Sequence, residues 1–78
     1  MSQEIRLCDL APGGSGVVSG LDTTGGMRRR FLDIGLTRDT AVACVGRSPL
    51  GDPSAYLIRG AVVAIRAEDC RGVRIRAD

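Results

Sequence analysis

The chain has no histidine, no lysine and no tryptophan, and one phenylalanine and one tyrosine among its 78 residues. Without an imidazole, both the commonest acid–base group near neutral pH and the commonest metal ligand are missing. With aromatics at 3%, Leu, Val, Ile and Ala must fill the core, and Phe31 and Tyr56 are the only large rings. That composition argues against a deep ligand cavity. No apolar run approaches the roughly 20 residues of a membrane span, and no signal-peptide pattern is present, so the expectation is a cytoplasmic protein.

Cys-x-x-Cys pairs are also absent. Cys8, Cys44 and Cys70 are odd in number and widely spaced, and a tetrahedral zinc site would need all three thiolates plus a carboxylate. The alternative is three reduced, buried thiols acting as small hydrophobes in a reducing compartment, and this is the expected state. The sequence therefore carries no metal, cofactor or catalytic assignment. No paired carboxylates stand at useful spacing, and of the thiols only Cys70, beside Arg71, is arguable as a nucleophile.

What is present is a balanced set of charges, 11 basic against 9 acidic for a net +2, with every basic residue an arginine. The balance is too even to demand nucleic acid. All-arginine usage has two readings, a GC-rich codon bias or a preference for bidentate contacts with carboxylate or phosphate. The length holds one domain, residues 1–78, near the size at which a single core buries roughly 60% of the unfolded surface.

The densest structural signal is Arg47 to Ile65. Pro49 and Pro53 bracket Leu50-Gly51-Asp52, which fixes two φ angles and leaves Gly51 for a left-handed position, so the loop should be rigid. After it, residues 55–58 and 62–65 are rich in Tyr, Leu, Ile and Val with Arg59-Gly60 between them, which predicts a β-hairpin.

Upstream, Pro12-Gly13-Gly14-Ser15-Gly16 is a cluster of turn formers after a segment anchored by Leu7 and Leu10, and strand pairing is expected only beyond it. A phosphate cradle is the other reading of the glycines, but no Gly-Lys-[Ser/Thr] follows. Val17 to Leu21 predicts a first strand. Asp22-Thr23-Thr24 offers capping oxygens for a helix over about 25–34, with Met27, Phe31 and Ile34 on one stripe and Gly35 to end it. Arg28, Arg29 and Arg30 fan around the other side of that helix, Arg29 near Asp33 one turn on. They are a solvated face or a binding surface.

Ala41 to Val45 predicts the second strand. It is apolar on both faces, as is 62–65, which suits strands curled into a small barrel. Ala67 to Cys70 suits one helical turn. In Val73 to Arg76 the alternation puts Val73 and Ile75 inward, with Arg74 and Arg76 outward protecting an edge. The expected architecture is mainly β: a small barrel of about five strands with one short α-helix between the first and second strands.

The Pro49-Leu50-Gly51-Asp52-Pro53 loop followed by Arg59-Gly60 resembles the ferrous iron transport protein A (FeoA) family. The likeness runs from Leu7 to Ile75. Leu7, Leu10, Pro12-Gly13 and Val18 resemble the family's opening, Arg30, Leu32, Ile34, Gly35 and Leu36 its helix end, and Ile65-Arg66, Val73 and Ile75 its closing strands. Asp39, where the family commonly has Gly, and Ala61, where it often has a bulkier residue, depart from the pattern.

The resemblance implies an SH3-like barrel with no chemistry of its own. It implies a regulator of ferrous iron transport that acts on the cytoplasmic GTPase region of the FeoB membrane transporter and reaches the membrane only through that partner. The protein would be a monomer or weak homo-oligomer. Two alternatives stay open: a free-standing SH3-like regulatory module, since the barrel also occurs in iron-dependent repressors, and a small-barrel nucleic-acid binder using the arginines. Interleaved stacking rings for the latter are missing. The candidate partner-binding residues are Arg28, Arg29, Arg30, Leu50, Gly51, Asp52 and Arg59.

Overall fold

The alternation read along the chain becomes a six-stranded antiparallel sheet in a computed structural model that describes residues 4–77. In order, the elements are β1 (Glu4–Arg6), a 3-10 turn (Leu7–Asp9), β2 (Ser15–Leu21), α1 (Gly25–Asp33), β3 (Ala41–Arg47), β4 (Ser54–Ile58), β5 (Ala61–Ile65), α2 (Ala67–Cys70) and β6 (Val73–Ala77). The strand order is β1-β6-β2-β3-β4-β5.

Every second residue of the strands turns inward. Val18, Val42, Tyr56, Ile58, Val73 and Ile75 are buried together with Leu7 and Leu36, and Phe31 of α1 closes the core from the helix side. Each such side chain contributes about 1.5–3 kcal/mol by leaving water. Met27 and Ile34 pack half-buried beside Phe31, as the helical stripe requires.

Strand pairing begins earlier than the glycine cluster suggested. Ile5 of β1 lies opposite Ile75 of β6, which adds a sixth strand to the expected five. A three-residue segment with one apolar centre is too short to register as a strand by alternation, but it can cover a sheet edge. Consequently β6 lies between β1 and β2, and Arg74 and Arg76 do not guard an edge. They are ion-paired across the surface instead, Arg74 Nε 3.2 Å from Asp22 and Arg76 3.1 Å from Asp39. Arg6 pairs with the same Asp22, and its hydrogen bond, with Arg74 adding to it, holds the Asp22 carboxyl below the usual carboxylate range.

The helix is one residue shorter than expected: Ile34 is its C-terminal cap and Gly35, at φ +102°, ends it. Thr24 stands at the N-cap, but its side chain makes no capping bond. Arg28 reaches back 3.3 Å to the Leu21 carbonyl, tying the start of the helix to the end of β2.

Apolar residues on both faces of β3 and β5 do not mean burial on both sides. Val45 and Val62, pointing outward, are 50% and 64% exposed, and β1 and β5 are the two edges of the ordered strands. Among the described residues the sheet curls without a hydrogen-bonded seam between β1 and β5. Asp39 occupies φ +71°, a left-handed position that Asp tolerates, and its carboxylate takes the Arg76 guanidinium.

Candidate partner-docking surface

Arg28, Arg29 and Arg30 are exposed on α1, but they do not act as one patch. Arg28 and Arg29 line a shallow depression of about 450 Å³ with Gly25, Gly26, Leu32 and Asp33. Arg30 turns the other way, into a smaller groove beside β5. The roughly 100° step between successive helical residues enforces that division. No ion pair joins Arg29 to Asp33 among the described residues, so the Arg29 guanidinium is available to a partner's carboxylate.

The loop before β4 is closed by two backbone bonds, Gly51 N–H to the Ser48 carbonyl at 2.8 Å and Ser48 N–H to the Pro53 carbonyl at 3.1 Å. Leu50 sits at its tip, 94% exposed, an apolar side chain held in water on a fixed loop. Asp52 is already engaged: its Oδ1 accepts the Ala67 N–H at 2.9 Å and so caps the start of α2.

Gly51 lies at φ +87° with nothing within 4 Å of where a Cβ would stand. A side chain there meets backbone strain rather than a clash. Gly51→Val is expected to lower stability by about 1–3 kcal/mol, while Leu50→Ala leaves it within about 0.5 kcal/mol. Equal urea midpoints for the wild type and Gly51→Val would contradict this.

Arg59 is also engaged internally. With Gly60 it forms a two-residue hairpin turn in which both residues are left-handed, at φ +48° and +82°, the geometry a type I′ turn demands. Its guanidinium donates to the Gly35 carbonyl at 3.3 Å, to Thr37 Oγ1 at 3.0 Å and to Thr40 Oγ1 at 3.2 Å. Arg59 thereby ties the β4–β5 turn to the segment leaving α1. Five of the seven candidate residues fall in three places: Arg28 and Arg29 on the helix, Arg30 in the groove, and Leu50 with Gly51 at the loop tip. Asp52 and Arg59 hold neighbouring elements in position.

The three cysteines are free thiols, Cys44 and Cys70 buried and Cys8 half-buried. Among the described residues no group of three or more cysteines, aspartates or glutamates could hold a metal ion. Burial pushes the Cys70 thiol up to about 11, the opposite of the shift an activated nucleophile needs.

Comparison with known proteins adds a decisive observation: the profile of the FeoA domain matches residues 5–77. The chain belongs to the FeoA domain family. Its fold superposes on a FeoA protein from Chlorobium tepidum at a TM-score of 0.87 and 26% identity, covering 94% of this chain and 70% of that one. A FeoA-like protein from Clostridium acetobutylicum matches at 0.88 and 26%, with 99% and 90% covered.

The Stenotrophomonas maltophilia FeoA, solved with zinc, matches at 0.80 and 22%, over 95% of this chain and 89% of that one. It is described as a procaryotic SH3 domain protein and a candidate ferrous iron transport activating factor. The fold is therefore the SH3-like fold of FeoA proteins. It also occurs within a manganese-dependent transcriptional repressor, at 0.85 and 19%, where all of this chain corresponds to 44% of the repressor. No curated protein matches the chain by sequence. Among the described residues no helix is long and apolar enough to cross a membrane.

Proposed function

We propose that this FeoA domain is a cytoplasmic accessory protein of ferrous iron transport that docks on the GTPase region of a FeoB-type transporter. The family match over residues 5–77 carries this reading. The domain acts by binding, without chemistry of its own, as a single domain that is monomeric or weakly self-associating and reaches the membrane only through its partner.

Arg28, Arg29 and Arg30 supply guanidinium forks for carboxylates, and Leu50 is the apolar anchor. Gly51 shapes the loop that presents Leu50, while Asp52 and Arg59 keep that loop and the hairpin turn in place. A loop already closed by backbone bonds loses little entropy on docking.

The test is titration of the domain into the isolated GTPase region, with and without GTP. Arg28→Glu combined with Arg29→Glu, and separately Leu50→Ala, should each weaken binding about tenfold, a cost of about 1.4 kcal/mol, with unfolding midpoints unchanged. Wild-type affinity in both variants would place the interface elsewhere.

A further inference from the structure

The far edge of the sheet carries an unused binding device. In a two-residue hairpin the closing pair, here Ile58 and Ala61, exchanges both backbone bonds, and the bonded pairs alternate along the ladder. Val62 and Ala64 fall on the non-bonded pairs with Leu57 and Ala55, so their N–H and C=O groups point away from β4. β5 is the last strand of the order, and no hydrogen bond reaches these groups from elsewhere among the described residues.

Beside this edge runs a groove of about 170 Å³ between β5 and α1, with Met27, Phe31, Ile34 and Val63 on its walls. On the outer face, Val62 is 64% exposed and its cross-strand neighbour Leu57 is 40% exposed. A strand laid against β5 would thus find unpaired backbone donors and acceptors in line with it, an apolar groove on one face and an apolar row on the other.

We infer that β5 accepts an extended segment of a partner protein as an added strand, and that the segment is apolar at alternate positions and acidic at its ends. Charge selects this occupant. Arg30 and Arg66 line the groove with no ion-pair partner among the described residues, against the single carboxylate of Asp69. A second copy is a poor fit, because its β5 and the residues flanking it, 59–66, carry no acidic side chain to meet the groove arginines. The inference does not depend on the transporter reading, whose test uses Arg28, Arg29 and Leu50.

The probe is the peptide acetyl-Glu-Val-Thr-Val-Thr-Val-Glu-amide, with a Lys-ended version as control. Binding should slow hydrogen exchange at the Val62 and Ala64 amides, and the Lys-ended peptide should bind about tenfold more weakly. Ala64→Pro removes a donor that faces only the open edge, so it should weaken binding about five- to tenfold without breaking the β4–β5 ladder. Arg66→Glu, on an exposed side chain, should shift the preference toward the Lys-ended peptide, and it decides the matter should Ala64→Pro disturb the fold. No binding of either peptide, unchanged exchange at both amides, or no shift of preference in Arg66→Glu would overturn the inference. So would a concentration-dependent dimer in sedimentation that Ala64→Pro abolishes, since the occupant would then be a second copy.

Discussion

Gly16→Ala is expected to destabilise the domain by about 2–4 kcal/mol, although replacing a strand glycine with alanine ordinarily stabilises through the unfolded chain. Gly16 lies in the middle of the sheet, opposite Val42 on β3 and Ala77 on β6. A Cβ there would stand 2.6 Å from the Arg76 carbonyl oxygen and 2.5 Å from the Ile75 methyl. The methyl could rotate away; the carbonyl is backbone of a strand paired on both sides and cannot. Relief would require parting β2 from β6, the pairing that joins the β1–β6 half of the sheet to the β2–β5 half. A domain of this size holds only about 4–12 kcal/mol in total, so the loss would bring it close to unfolding at ambient temperature. Gly46→Ala is the control: it sits in β3 beside a bulge with nothing within 4 Å of its Cβ, and it should change stability by less than about 0.5 kcal/mol. Urea midpoints of the two variants measure the contrast. Similar midpoints would show that β2 and β6 can part at little cost.

That clearance is not written in the sequence. Gly13, Gly14 and Gly16 look alike as turn formers, yet Gly13 and Gly14 bond with Cys44 to extend the β2–β3 ladder while Gly16 is inside the sheet. The local signals did lead to correct local structure: the Met27-Phe31-Ile34 stripe, the stop at Gly35, the Arg59-Gly60 turn and the single turn of α2 depend on neighbours within a few residues. Pairings between distant segments were less legible. β1 is too short to announce itself, and its presence is what turns β6 from an edge into an interior strand.

The candidate site shows the same division. Exposure of Leu50 and the positive φ of Gly51 follow from a proline-bracketed loop and were readable locally. The engagement of Asp52 with Ala67, 15 residues on, and of Arg59 with Gly35, 24 residues back, was not. Both residues look free in a sequence because their partners belong to other elements. The β5 edge was hidden for a related reason: Val62 and Ala64 read as ordinary hairpin residues, and only the strand order shows that no further strand lies beyond them among the described residues.

Raising the pH from 9 to 11 is expected to remove about 2 kcal/mol of stability through Cys70 alone. Cys70 is fully buried, its Sγ 3.5 Å from the Tyr56 hydroxyl and 3.8 Å from the Ile65 carbonyl; the Tyr56 hydroxyl in turn donates to the Leu7 carbonyl at 3.5 Å. Loss of water around these groups penalises their charged forms, pushing the thiol up to about 11 from an ordinary 9 and raising the Tyr56 phenol well above its ordinary 10. Below pH 9 both states carry the protons and the contribution is complete. Above it the unfolded chain ionises first, so the equilibrium moves toward unfolding until the folded thiol also ionises near 11. Tyr56 adds to the loss above pH 10 in the same direction. The absence of lysine sharpens the measurement, because the side chain that ordinarily titrates between pH 9 and 11 alongside cysteine and tyrosine is missing. Denaturant unfolding at intervals from pH 7 to 11 should give a flat profile to about 9 and a decline beyond. Cys70→Ala should be less stable at pH 7 but decline less steeply between 9 and 10, before tyrosine ionises. Parallel declines for the two proteins would mean that Cys70 ionises as readily in the folded domain as in the unfolded chain, and that this end of the core admits water.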